Sequence, residues 1–167
     1  TFSGKYGELP GYDPLAFVVD ECHKRGMECH AWFVTFPLGT EKSVKEPGKL
    51  SVVKKKPKLC KRHNGEWYLD PGVPETADYI LSLVKEIVNG YDIDGIHFDY
   101  IRYNYVCNGW GPEDIEELER RGANVDHLKE LIEKTFYRDD KDDKAIFEAY
   151  SAGDEDAVIF ANMRRDN

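Results

Sequence analysis

Apolar and polar positions alternate with two different periods along this chain, and the switch between them recurs. In "YDPLAFVVDECHKRGMECHAWF", Leu15, Val18, Val19 and Cys22 fall at helical spacing and make one apolar stripe. Asp13 is suited to cap the helix and Pro14 to open it, because its missing N–H is not needed in a first turn. His23, Lys24 and Arg25 close the last turn, and Gly26 supplies a left-handed C-terminal cap. The spacing predicts a helix over about 14–25 and, almost without a loop, a strand over about 27–33.

The same order returns in "PETADYILSLVKEIVNGYDIDGIHFDYI". Pro74 opens a helix over about 75–89, with Ala77, Ile80, Leu81, Val84, Ile87 and Val88 as its apolar stripe. Gly90 closes it, and a strand is predicted over about 94–100. Two helix–glycine–strand units imply parallel, adjacent strands joined by right-handed crossovers. That pattern is compatible with a doubly wound sheet and with a (β/α)8 barrel.

Elsewhere the pattern is weaker. Residues 34–73 form a long loop, beyond the usual length of a βα connection. Residues 104–160 read as a helical and acidic insertion. Within it "GPEDIEELERRG" and "NVDHLKELIEKTF" are two amphipathic helices either side of Gly122. "RDDKDDKAIFEAYSAGDEDAVIF" is less regular, and its aspartates lack the spacing of an EF-hand, so they read as a solvated surface.

Strand alternation decides between the two folds. Glu28, His30 and Trp32 share one face of the first strand, and Gly95, His97 and Asp99 one face of the second. The opposite faces, with Cys29, Ala31 and Phe33, and Ile96, Phe98 and Tyr100, are apolar and suited to helices. Strands of parallel sheets are normally apolar on both sides. A polar face with its functional groups near the strand C-termini fits the lumen of a (β/α)8 barrel. The strands are therefore expected to place His30 and Asp99 side by side at that end. Burying Asp99 requires a partner such as Arg102, a hydrogen-bond network or a catalytic role. Asp94, just before Gly95, reads as a turn or cap. Trp67 and Trp110 read as loop residues, where exposed indoles mark binding surfaces.

Composition narrows the partners. The 167 residues carry a formal net charge of −9, which argues against nucleic acid held through phosphates. "KKKPKLCKRH", residues 54–63, runs the other way; it reads as a solvated loop, with contact to an anionic substrate as the alternative. No apolar run reaches the roughly 18 residues of a membrane span. Cys22, Cys29, Cys60 and Cys107 show neither CxxC spacing nor a paired-histidine zinc pattern. No cofactor or metal is expected. The chain starts at Thr1 and ends in "MRRDN", so both ends read as cut.

The stretches "YDPLAFVVDECHKRGMECHAWF", "WYLDPGVPETADYI" and "YDIDGIHFDYIRY", with the closing "MRRDN", resemble the glycoside hydrolase-like 10 family. The resemblance covers residues 12–36 and 66–103. It departs over 104–160, where "NYVCNGWG" follows "IRY" in place of a common proline. It implies a (β/α)8 TIM-type barrel, of which residues 1–167 are part, acting as a glycoside hydrolase on a poly- or oligosaccharide. It also points to a secreted or cell-envelope location. Asp99 would be the catalytic carboxylate. His30, Trp32, His97, Arg102 and Tyr103 would line the same mouth, and Trp32 and Trp67 would stack sugar rings.

Glycosidases need two carboxyl groups, about 5–5.5 Å apart for retention and 6.5–9.5 Å for inversion. The second is Glu28, Asp70, a residue of 104–160, or one outside this chain, the last being preferred. Two other classes stand beside this reading: a non-catalytic carbohydrate-binding barrel, and a metal-dependent hydrolase or deacetylase built on His30, His97 and Asp99. With few strands present, exposed edges would also favour self-association.

Overall fold

The computed structural model describes residues 8, 11–47, 51–63, 65–103, 109–136 and 144–166. Where the sequence reads as one domain, they gather into two compact units, Thr1–Leu69 with Glu75–Arg102, and Asp70–Pro74 with Tyr103–Asn167.

The first unit is organised by the two helix–strand repeats. Helix α1, Pro14–His23, is capped by Asp13, whose Oδ1 accepts the N–H groups of Leu15 and Ala16 at 3.0 and 3.1 Å. Its far end is a Schellman turn: Met27 donates to the Cys22 carbonyl and Gly26, at φ +67°, to that of His23. Helix α4, Pro74–Gly90, begins at the expected proline and half-buries Ile80, Leu83, Val84 and Ile87. Strands β1, His30–Val34, and β5, Gly95–Asp99, are parallel and hydrogen-bonded to each other.

Their register corrects the expected alignment. His30 lies opposite Gly95, Trp32 opposite His97, and Val34 opposite Asp99. Met27–Cys29 is not strand, because the Schellman turn takes up Met27 and the ladder begins beyond Asp94. At that entrance Asp94 donates its N–H to the Cys29 carbonyl at 3.0 Å. Its carboxylate accepts the Cys29 N–H at 2.7 Å and meets His23 Nε2 at 2.9 Å. The cap expected at Asp94 therefore joins α1, β1 and β5.

Some stripe residues are more open than the pattern predicts. Val19 is buried, but Val18, Leu81 and Val88 are exposed. Among the described residues, β1 and β5 pair only with each other, and there is no closed barrel.

The described residues of the long loop form regular elements. Strands β2 (Pro37–Thr40), β3 (Cys60–His63) and β4 (Glu66–Leu69) form an antiparallel sheet in the order β2-β4-β3. Two short helices, α2 (Glu41–Lys45) and α3 (Val52–Lys55), and a 3-10 turn at Pro57–Leu59 complete it. Buried Val44, Leu59, Cys60, Tyr68 and Leu69 provide its core. Desolvation pushes the Cys60 thiol up to about 11.

The second unit is helical: α5 (Pro112–Arg120), α6 (Val125–Phe136), α7 (Lys144–Ser151) and α8 (Glu155–Asp166). The break at Gly122 is a second Schellman turn, closed by Ala123 donating to the Leu118 carbonyl. The expected irregular stretch is instead α7 and α8 over its described part. Ile146, Ala157, Phe160 and Met163 join Leu118, Val125, Leu128 and Ile132 in one apolar core. Cys107 lies outside the described residues.

Two stability predictions follow from these contacts. The hydrogen bond that His23 donates to Asp94 raises the His23 pKa above its ordinary 6.5, with the burial around the ring acting against it. The bonds from Cys29 and then His23 lower that of Asp94 below 3.8. The His23 contribution is thus complete below pH 6.5 and fades as pH rises through its folded value; that of Asp94 fades as pH falls through its own. Thermal midpoints of wild type and His23→Gln, measured across pH, should differ most between the two ordinary values and converge at alkaline pH. In the second unit, a β-carbon on Gly72 would overlap the carboxyl of the buried Asp114. Gly72→Ala should destabilise by about 1–3 kcal/mol in denaturant titration, as overpacking does.

Candidate functional site

Residues in register across a parallel pair point to the same side of the sheet, so Trp32, His97 and Asp99 share one face. Helix α1 lies on the other. Burial pushes the Cys29 thiol upward, and a hydrogen bond with Cys22 of α1 adds to this. Phe33 and Phe98 meet edge-to-face on that side, with centroids 5.9 Å apart.

Asp99 ends β5 at its C-terminal edge. Trp32 Nε1 donates to its Oδ2 at 3.0 Å, and the Tyr100 N–H to its Oδ1 at 2.8 Å. Its backbone carbonyl accepts the Thr35 N–H at 2.9 Å, extending the ladder one step past β1. The hydrogen-bond network expected around a strand carboxylate is thus present, and it uses Trp32. Each carboxylate oxygen has an N–H donor, which fixes the group and leaves about two of its four lone-pair positions open.

Trp32 does a second thing. Its N–H is taken by Asp99, yet the side chain is 69% exposed, so the ring presents its surface beside the carboxylate. Tyr100 follows in the left-handed region, at φ +52°, a conformation unusual for a residue with a large side chain. It turns the chain sharply after Asp99. Arg102 is the residue next expected here, and its guanidinium lies 5.3 Å from the centre of the Tyr100 ring.

His30 is not beside Asp99. Its ring lies over Gly95, and its Nε2 is 3.1 Å from the Glu28 carboxylate. Four strand residues separate the two levels, about 13 Å at roughly 3.3 Å each. The Glu28 carboxylate, held against that ring, shares its level and lies beyond the span of a glycosidase carboxyl pair. His30, His97 and Asp99 therefore do not converge on a metal. Among the described residues, the cluster with ligand atoms close enough for a cation is His127, Asp154 and Asp156, in the other unit.

The remaining candidates lie elsewhere. Trp67 is in β4 rather than a loop, half-buried, with its indole N–H donated to Glu41 at 2.6 Å. The Lys45 and Trp67 bonds, with Arg62 adding to them, hold the Glu41 carboxyl below its usual range. Trp110 packs edge-to-face on Phe160 and is no exposed binding residue. Tyr103 belongs to the second unit, where Arg164 lies 4.5 Å from its ring centre. Asp70 is also there, fully buried in a turn that it closes by accepting the Gly72 N–H at 3.1 Å. A sealed carboxylate of this kind is not open to a substrate. Sequence reasoning missed Tyr100 and Thr35. The only signal available was their position, immediately beyond a strand C-terminus.

A family model described as glycosyl hydrolase-like 10 matches residues 1–148. The chain belongs to the glycosyl hydrolase-like 10 family. It is similar to "Glycosyl hydrolase DigH" of Escherichia coli K12, 40% identical over 109 residues, covering 58% of this chain and 24% of that protein. "Glycosyl hydrolase YngK" of Bacillus subtilis 168 is 36% identical over 126 residues, covering 74% of this chain and 24% of that protein. The chain thus spans about a quarter of the length of these curated relatives. A glycosidase-like role is thus supported at the level of the family.

The strained residue gives a direct test of the geometry. Tyr100→Gly should be more stable than Tyr100→Ala by about 1 kcal/mol, since only the latter keeps a β-carbon in the left-handed region. Paired urea titrations would measure the difference, and equal midpoints would contradict the backbone assigned to Tyr100.

Proposed function

We propose that this segment is part of a (β/α) barrel that hydrolyses glycosidic bonds, with Asp99 as a catalytic carboxylate. The observation that carries the reading is the Trp32–Asp99 hydrogen bond at the C-terminal end of two parallel strands. It supports a site at the edge where barrels of this type do their chemistry. It also couples a fixed carboxylate to an open aromatic surface, the pair of features that a sugar ring requires. Family membership supports the glycosidase-like character independently.

In this reading the Trp32 ring stacks on a sugar while its N–H aims Asp99. The carboxyl acts as general acid or as nucleophile, and Arg102 and His97 contribute polar contacts at the same edge. The second carboxyl comes from a strand end outside this segment.

The test is Asp99→Asn in the full-length protein, assayed on α- and β-linked polysaccharides and peptidoglycan. Turnover should fall by about a hundredfold or more, the usual scale for losing an acid–base group, with the circular dichroism spectrum unchanged. Wild-type turnover by the variant on any accepted substrate would remove Asp99 as the catalyst. Binding without turnover by the wild type would instead favour a non-catalytic carbohydrate-binding barrel.

A further inference from the structure

In a chain with 32 acidic residues against 23 basic ones, exposed cations are expected to find carboxylates. Several of those in the described structure do. Lys24 pairs with Asp20 and Glu21, Lys45 and Arg62 with Glu41, Arg120 and Arg121 with Glu117, and Lys129 with Asp126. Exposed Lys42 and Lys85 stand singly without such a pair, whereas Lys54, Lys55 and Lys58 lack one as a cluster. All three are exposed, and among the described residues none forms an ion pair. Lys56 sits between them with its ammonium 5.3 Å from the centre of the Tyr79 ring.

These lysines stand on a built platform. Ser51 and Leu59 are buried on either side, and Cys60 begins β3 with its side chain buried. Backbone bonds from Lys54 and Lys55 to Ser51, from Lys56 to Val52 and from Leu59 to Lys56 fold the segment into two consecutive tight turns. Three like charges so close repel one another and are stabilised by an anion arriving from outside.

The position of the platform is informative. The excursion that carries it leaves β1 at the Asp99 end of the sheet. Thr35 donates to the Asp99 carbonyl, and Leu69 of β4 donates to the carbonyl of the next residue, Phe36, at 2.8 Å. Strand β3, which follows the lysines, pairs with β4. The basic segment is thus tied by β3, β4 and Phe36 to the strand edge that holds the candidate catalytic carboxylate.

We propose that Lys54, Lys55 and Lys58 form an anion-recognition surface that selects glycans bearing carboxylate or phosphate groups. The inference rests on the glycosidase reading and adds to it the charge of the substrate. Ammonium groups act as point charges without a fixed fork, so the surface reads the density of negative groups along a glycan rather than one geometry.

The test uses one glucan backbone in three forms: hydroxyethylated and neutral, carboxymethylated, and phosphorylated. Affinity electrophoresis of the full-length protein should show retention by the charged forms and little by the neutral one, with the effect suppressed by salt. The carboxymethyl and phosphoryl arms tell which anion is preferred. Replacing Lys54, Lys55 and Lys58 together by Gln should weaken retention about tenfold, at roughly twofold per exposed pair, while Lys85→Gln leaves it unchanged. Because these positions are exposed, the triple variant should keep its thermal midpoint. Equal retention of neutral and charged forms, or an unchanged triple variant, would overturn the inference. Loss of activity in Asp99→Asn with unchanged charge selectivity would support both readings, whereas hydrolysis without charge preference would retain the glycosidase and remove the anion surface.

Discussion

The first unit depends on the register of β1 against β5, and that register is set at its entrance by Asp94. One residue contributes two opposed bonds there: its N–H goes to the Cys29 carbonyl, and its carboxylate accepts the Cys29 N–H. Side chains on a strand alternate, so a slip by one position would move every residue to the other face. Trp32 would then leave the side of Asp99 and turn toward α1. The bond between the indole and the carboxylate, farther along the same two strands, exists because the entrance is closed in one way only. His23 reinforces it by bringing the end of α1 to the same carboxylate.

Helix boundaries were legible in the sequence because each has a local chemical cause. Asp13–Pro14, Gly26, Pro74 and Gly122 act through caps and backbone freedom that involve few neighbours, and all four mark ends where the structure has them. The parallel pairing and the common face of Trp32, His97 and Asp99 were legible for a similar reason, since alternation is local. Register was not. Alternation shows which residues share a face but not their level along the strand, so the expected neighbourhood of His30 and Asp99 has no local signal behind it. The structure puts His30 opposite Gly95. The Schellman turn takes up Met27, and the ladder begins only beyond the Asp94–Cys29 contact, which is a tertiary event.

The missed elements share a different cause. Strands β2, β3 and β4 are four residues each, and "PLGT", "CKRH" and "EWYL" do not alternate between apolar and polar. Their sheet is held by buried Tyr68, Leu69 and Cys60 at positions where no period could be read. In α7 and α8 the surrounding aspartates hid an apolar set that only the folded unit brings together. Trp67 and Trp110 differ for the opposite reason, since an aromatic residue in a polar stretch reads as exposed where the fold half-buries it. For Trp67 the polar neighbour, Glu41, is what satisfies the indole N–H.

What the first unit leaves open bears on the barrel reading. Parallel sheets are ordinarily covered on both faces, because an apolar strand surface in water is unfavourable. Here Trp32, Val34 and Phe98 are exposed on the strands, and Phe17, Leu81 and Val88 on the helices. At roughly 25 cal/mol per Å2, apolar surface on this scale represents several kcal/mol of burial still to be gained. Both outer strand edges also lack a partner among the described residues, a state that proteins ordinarily avoid. A barrel satisfies the two demands together: neighbouring strands take the edges, and neighbouring helices take the outward apolar residues. The Trp32 face would then become a lumen wall. The same closure would leave the C-terminal edge open, which is where Asp99, Tyr100 and the excursion carrying Lys54 to Lys58 are found.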